Sequence, residues 1–199
     1  MKKIILFLFL SLSLFSKESR QSILGYGGKF INSDLVPISI YGDIAYKKSN
    51  LYVLGYNYQL KPKISFLNFE VEGQIGKHTG SMNHSELNGV FIARTNRWKV
   101  IPISFGFGEG LSLASEKPAL EQRKFGFDRE RGTFNFINIE ETRPLLNFLL
   151  LERDVKIPIE SSPKFFVRLH HRSGIWGTYC PPDPPCGSNF LVYGVKFPI

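Results

Sequence analysis

Apolar and polar residues alternate with a period of two along most of this chain. The clearest example is the segment 66–76, whose two sets of alternate positions are Leu67, Phe69, Val71 and Ile75 against Asn68, Glu70, Glu72 and Gln74. Successive side chains of a β-strand point to opposite faces, so the pattern predicts a strand with one apolar and one polar face. Four consecutive polar positions, two of them acidic, indicate the polar lumen of a membrane barrel.

Most of the strand-like runs are about ten residues long, the length of a tilted strand that crosses an outer membrane. Eight of them lie at 37–46, 51–60, 64–76, 86–95, 101–111, 145–157, 164–173 and 190–199. The connections alternate between long segments, expected to be outer loops, and short periplasmic turns. The sequence therefore predicts an all-β fold, an eight-stranded antiparallel up-and-down transmembrane β-barrel. The alternative is a soluble sandwich or lipocalin-like barrel whose apolar face points inward.

A ninth run, 21–32, is strand-like but rich in glycine, and nine strands would break the even number expected of such a barrel. We therefore expect the barrel to begin near Pro37, with 21–32 as a segment that precedes it. Residues 48–50 then form an unusually tight outer turn between the first two strands. The other possibility is that one of the remaining runs is not a strand.

The amino terminus has the features of an export signal. Two lysines, Lys2 and Lys3, precede an apolar run over 4–15 and the small residue Ser16. That run is too short to cross a bilayer as a helix, so residues 1–16 are predicted to be a signal peptide. Residues 17–199 are then a single outer-membrane domain, in a cell of the Gram-negative type.

The charge balance is basic, with 25 Lys and Arg against 17 Asp and Glu and a formal net charge of +8. Loss of Lys2 and Lys3 with the signal leaves 23 against 17, or +6. Export argues against nucleic acid as the partner, which leaves an anionic surface glycolipid as the expected one. The sequence does not indicate an oligomeric state.

Three polar residues interrupt the apolar face of the last two runs. His171 and Ser173 lie two apart on one strand face, about 6–7 Å between Cα atoms, so the imidazole is able to take the hydroxyl proton. Asn189 is predicted at a similar height on the neighbouring strand, where its carbonyl is able to orient the imidazole. Asp183 and Glu109 are alternative candidates for this third position.

This hairpin resembles the lipid A 3-O-deacylase family of outer-membrane barrels, and the resemblance covers mainly the last third of the chain. The family has a His-x-Ser-Asn motif and a Glu in the final strand that completes a Ser-His-Glu triad. Here His171 and Ser173 match, Gly174 stands in the place of the Asn, and Asn189 stands near the place of the Glu. Segments 108–112 and 170–174 are also similar to a divergent branch described as acyloxyacyl-hydrolase-like.

The resemblance implies a serine carboxylic-ester hydrolase that removes acyl chains from the lipid A of lipopolysaccharide and needs no cofactor. Ser173 would be the nucleophile, His171 the base and Asn189 the orienting residue. The alternative is a non-enzymatic small outer-membrane barrel with a surface-binding or structural role.

The residues around this hairpin carry further expectations. Backbone N–H groups near Gly174 are candidates for stabilising an oxyanion. Cys180 and Cys186 enclose a proline-rich stretch and are predicted to form a disulfide that holds the loop over the site; we do not expect a metal site. His78 and His84 bracket another outer loop and are expected to be exposed.

Overall fold

The computed structural model describes residues 19–31, 46–97, 102–121, 123–128, 133–138, 142–157, 159, 161–174, 178–180 and 186–199. The strands are β1 (Gln21–Ile31), β2 (Tyr46–Ile64), β3 (Leu67–Gly80), β4 (Ser85–Thr95), β5 (Ile103–Ala114), β6 (Arg123–Asp128), β7 (Thr133–Asn138), β8 (Leu145–Lys156), β9 (Lys164–Ser173) and β10 (Gly187–Pro198). Eight of them close an antiparallel barrel in the order β1-β10-β9-β8-β5-β4-β3-β2. The other two, β6 and β7, pair only with each other, in the connection between β5 and β8. The predicted barrel is confirmed.

The barrel begins earlier in the chain than the sequence predicts. Strand β1 pairs with β10 on one side and with β2 on the other, and so closes the barrel. A side chain at Gly28 would place its Cβ 2.0 Å from the carbonyl oxygen of Leu191, so only glycine permits β1 to approach β10 there. Gly28 is thus part of the barrel closure, and the expectation that 21–32 precedes the barrel is wrong.

The tight outer turn predicted at 48–50 is a continuous part of β2. Ser49 is fully buried and pairs with Gly80 of β3, and Asn50 pairs with Thr79. The polar run that resembled a turn therefore belongs to a strand with an inward polar position. Residues 37–45 of the strand predicted to come first lie outside the described residues.

The two faces of the barrel wall have the predicted orientation. Side chains of Glu70, Arg168 and Lys196 are buried in the lumen, whereas Phe105 and Val167 point outward. Leu54 is 71% exposed and Ile75 is 68% exposed, and many other large apolar side chains are exposed on the outer wall. A soluble protein rarely exposes apolar patches of that extent. The soluble alternative, with its apolar face inward, is therefore wrong. No helix in the described part of the chain is long and apolar enough to cross a bilayer.

The two ends of the barrel differ. We call the end where β9 stops and β10 starts the long-loop end, and the end that holds Gln21 and Pro198 the short-turn end. Buried ion pairs fill the lumen towards the short-turn end, where Arg94 contacts Glu70 at 2.6 Å and Glu152 at 2.7 Å. A Cβ at Gly106 would lie 3.1 Å from the Arg94 guanidinium, so the small inward residues of β5 make room for long charged side chains.

Candidate functional site

His171 and Asn189 form the centre of the predicted site. They are direct partners in the pairing of β9 with β10, and both face outward near the long-loop end. Nδ1 of His171 lies 2.6 Å from Oδ1 of Asn189. Because the amide oxygen only accepts, Nδ1–H of His171 is the donor, and Nε2 is left as the basic nitrogen of the neutral ring. The sequence predicted this contact.

Ser173 lies two positions beyond His171 on the same outward face of β9. It pairs with Gly187 of β10 and with Asn147 of β8, so the strand ladder holds its backbone on both sides. The spacing places its Cα about 6–7 Å from that of His171. The structure thus brings together all three residues predicted to be catalytic, at the rim of the barrel.

Gly174 does not have the role that the sequence suggested. Its N–H donates to the carbonyl of Cys186 at 2.9 Å, so this amide is not available to stabilise an oxyanion. A Cβ at Gly174 would lie 2.5 Å from Sγ of Cys186 and 3.1 Å from Cβ of Cys180. The absence of a side chain at Gly174 therefore makes room for the disulfide. The predicted bond between Cys180 and Cys186 is confirmed.

Glu109, one of the two alternative third residues, does not contact the imidazole of His171. Glu109 faces outward on β5, where it pairs with Leu149 of β8, and Leu149 pairs with His171. Two strand spacings separate the Cα atoms of Glu109 and His171 by roughly 10 Å. Asp183 lies outside the described residues. Of the candidates that the structure describes, Asn189 is the one whose side chain contacts the His171 imidazole.

The lumen side of the same two strands carries a contact that the sequence did not reveal. Arg172 and Ser188 are direct cross-strand partners next to the pair of His171 and Asn189. Both donate to Oε1 of Glu121, at 2.8 Å and 2.6 Å. Glu121 ends a 3-10 turn, Ala119–Glu121, in the connection after β5, and its side chain is fully buried. Burial raises the pKa of the Glu121 carboxyl, and the charge of Arg172 opposes that rise.

No periodic signal marks Glu121, because it lies in a connection and not in a strand. Its contact with Arg172 depends on how that connection folds back over the barrel mouth.

His78 and His84 are buried, not exposed as the sequence suggested, with 0% and 2% of their surface accessible. Their rings stack with centroids 4.1 Å apart. The pKa of His84 is lowered to about 3, mainly by burial and to a smaller extent by the neighbouring His78. His84 is therefore neutral at neutral pH. Positions 78 and 84 belong to the inward sets of β3 and of the turn before β4, so the period of two was the signal that could have placed them.

No protein-family model matches the sequence, and no curated protein matches it. Among solved structures, the outer membrane enzyme PagL is 13% identical, with 90% of this chain and 99% of that chain covered and a TM-score of 0.52. Neisserial surface protein A (NspA) is 14% identical, with coverage of 91% and 98% and a TM-score of 0.49. At 13% identity the likeness to PagL shows the fold alone, a closed eight-stranded antiparallel barrel.

Proposed function

We propose that this chain is an exported outer-membrane ester hydrolase that removes an acyl chain from a lipid A-type glycolipid. The observation that carries the proposal is the 2.6 Å contact between His171 Nδ1 and Asn189 Oδ1, with Ser173 on the same outward face. In a soluble protein the apolar face of these strands would form the core, where three polar side chains would be costly to bury. A lipid-facing site at the rim requires that placement.

The geometry supports a nucleophilic mechanism. Oγ of Ser173 attacks the ester carbonyl carbon while Nε2 of His171 takes the hydroxyl proton. The C–O bond to the sugar then breaks, and the imidazolium returns the proton to the departing sugar oxygen. Water, deprotonated by the same nitrogen, then attacks the carbonyl carbon of the acyl-Ser173 ester. The acyl C–Oγ bond breaks, the imidazolium returns its proton to Oγ of Ser173, and the fatty acid is released. Asn189 holds Nδ1–H throughout, which fixes the tautomer that these steps need.

The height of the site agrees with such a substrate. Asn189 lies ten residues before Ile199, which for a tilted strand is about 25 Å above the short-turn end. That distance equals the apolar band of an outer-membrane barrel, so the site lies at the boundary between lipid tails and headgroups. Acyl esters of a glycolipid lie at this boundary.

Exposed cations at the long-loop end suit an anionic headgroup. They are Lys29, Lys48, Lys77, Lys117 and Arg143. Phosphate groups of a lipid A-type molecule would meet these side chains while its acyl chains lie along the apolar wall.

The experiment that tests the function is mass spectrometry of lipid A from Gram-negative cells with and without this chain. We expect a species lighter by one ester-linked acyl chain, and the corresponding free fatty acid, only when the chain is present. The refolded protein in mixed micelles should produce the same change in purified lipid A. Intact lipid A in both assays would contradict the proposal and support a non-enzymatic barrel.

Asn189→Glu is expected to raise the hydrolysis rate by about 10-fold or more, because a carboxylate stabilises the imidazolium that forms during the reaction. The measurement is the initial rate of fatty-acid release by refolded protein. Asn50→Glu, which adds the same charge on the outward face of β2 near the same end, is the matched control and should leave the rate unchanged. A lower rate in Asn189→Glu would show that Asn189 does not occupy the orienting position.

A further inference from the structure

Three of the four histidines in the chain lie together inside the lumen, apart from the proposed catalytic site. His78 is on β3, His84 is in the turn before β4, and His170 is on β9; all three are at most 2% exposed. Glu86, also 2% exposed, lies among them on β4. His171 is the one histidine that faces the outer surface of the barrel.

Glu86 is the centre of this group. Its Oε2 lies 3.0 Å from Nε2 of His78, and its Oε1 lies 2.7 Å from Nε2 of His170. One side-chain donor atom from each of His78, His84 and Glu86 lies within 4.8 Å of the others. Two imidazoles and a carboxylate have thus been brought within the reach of a single ion.

Ion pairing with Glu86 does not account for all of the ring nitrogens. Nδ1 of His78 and Nε2 of His84 are buried and have no hydrogen-bond partner among the residues that the structure describes. Buried polar groups in native proteins are nearly always satisfied, so two orphaned imidazole nitrogens in stacked, neighbouring rings require an explanation. A bound cation that accepts a nitrogen lone pair is such an explanation.

We propose that His78, His84 and Glu86 bind a divalent transition-metal ion, with zinc as the best match. Zinc commonly takes two imidazoles and one carboxylate, with a fourth position left for water. It binds neutral imidazole more readily than the hard cations Mg²⁺ and Ca²⁺ do, since those prefer oxygen ligands. His170, in contact with Glu86, would then hold the ligating carboxylate in place, as outer partners of metal ligands usually do.

The charges around the cluster permit a cation. The guanidinium of Arg172 is 3.9 Å from Glu86 but 2.8 Å from Glu121, so Glu121 is its nearer counter-ion. Nδ1 of His170 lies 2.9 Å from the hydroxyl of Tyr26, which fixes the ring from its other side. Binding would tie the turn before β4 to β3, and through Glu86 to β9. It does not depend on the proposed ester hydrolysis.

The test is zinc binding by the full mature chain, refolded in detergent, freed of metal with a chelator and titrated against a chromophoric zinc chelator. We expect one zinc per chain, and Co²⁺ in its place should give the intense visible absorption of a four-coordinate site. The disulfide between Cys180 and Cys186 excludes thiolate as the ligand. A stoichiometry near zero, or a weak octahedral Co²⁺ spectrum, would overturn the proposal.

Variants locate the site. His84→Ala and Glu86→Gln should each weaken zinc binding by at least about 100-fold, since even outer-sphere partners of a metal contribute 10–100-fold. His171→Ala, which removes the outward histidine, should bind zinc as the unmodified chain does. Equal affinity in His84→Ala, or loss in His171→Ala, would contradict the assignment. His84 lies in a connection, so His84→Ala keeps the strand ladder intact and remains informative if Glu86→Gln fails to fold.

Discussion

Ser173→Ala is expected to slow acyl-ester hydrolysis by at least about 10³-fold, because it removes the hydroxyl that lies two positions from His171 on the same strand face and that is proposed to attack the ester. His171→Ala should cause a comparable loss, since the two side chains act as one unit and fail together. The measurement is the rate of fatty-acid release from lipid A by refolded protein in mixed micelles.

Ser115→Ala is the matched control for this loss. Ser115 is exposed just beyond β5 at the same end of the barrel, so its removal should leave the rate unchanged. The free energy of unfolding of Ser173→Ala in urea should fall by no more than about 1 kcal/mol, because one outward hydroxyl is removed while the strand ladder is kept. An unchanged rate in Ser173→Ala would remove Ser173 as the nucleophile.

Arg168→Ala is expected to lower the free energy of unfolding by about 3–5 kcal/mol. Arg168 is fully buried, with its guanidinium 2.7 Å from Glu72 and 2.8 Å from Glu152. Its charge also lies over the rings of Tyr26 and Phe166, at 5.0 Å and 4.9 Å. Without it, two carboxylates in the lumen lose a shared counter-ion that water cannot replace. Urea unfolding in phospholipid vesicles measures the change.

Two further variants separate the causes. Arg168→Met keeps an unbranched side chain beside Tyr26 and Phe166, so a loss similar to that of Arg168→Ala would assign the effect to charge and not to packing. Arg153→Ala removes an exposed, outward guanidinium from β8 and should change stability by less than about 1 kcal/mol. A change below about 1 kcal/mol in both Arg168 variants would show that the remaining cations, Lys196 and Arg94, are enough to balance the charges of the two carboxylates.

The period of two predicted the parts of the fold that depend on local pattern. It placed Glu70 and Arg168 inside, Phe105 and Val167 outside, and His171 beside Asn189 on the outer face. These predictions succeed because adjacent positions of a strand in a barrel wall meet very different surroundings, lipid on one side and a polar lumen on the other.

Predictions that required knowledge of neighbouring strands failed. The strand count left the glycine-rich run of β1 out of the barrel. Gly28 is needed there because β10, which lies at the far end of the sequence, passes close to it. Gly174 is likewise required by the close approach of Cys186 and not by its own backbone conformation. The pairing of β6 with β7 in the long connection also went unpredicted, because that stretch was interpreted as one loop.

The position of Glu121 over Arg172 and Ser188 has a consequence for assembly. Those two residues are one cross-strand pair, and the next pair is His171 with Asn189. If β9 slipped by one residue against β10, His171 would turn into the lumen and Arg172 would face lipid. Glu121 would then lose Arg172, the cationic one of its three side-chain donors in the described structure, and its buried carboxylate would have no adjacent positive charge. The contacts of Glu121 therefore stabilise the β9–β10 hairpin in one register. That register is also the one that places His171 beside Asn189 on the opposite face.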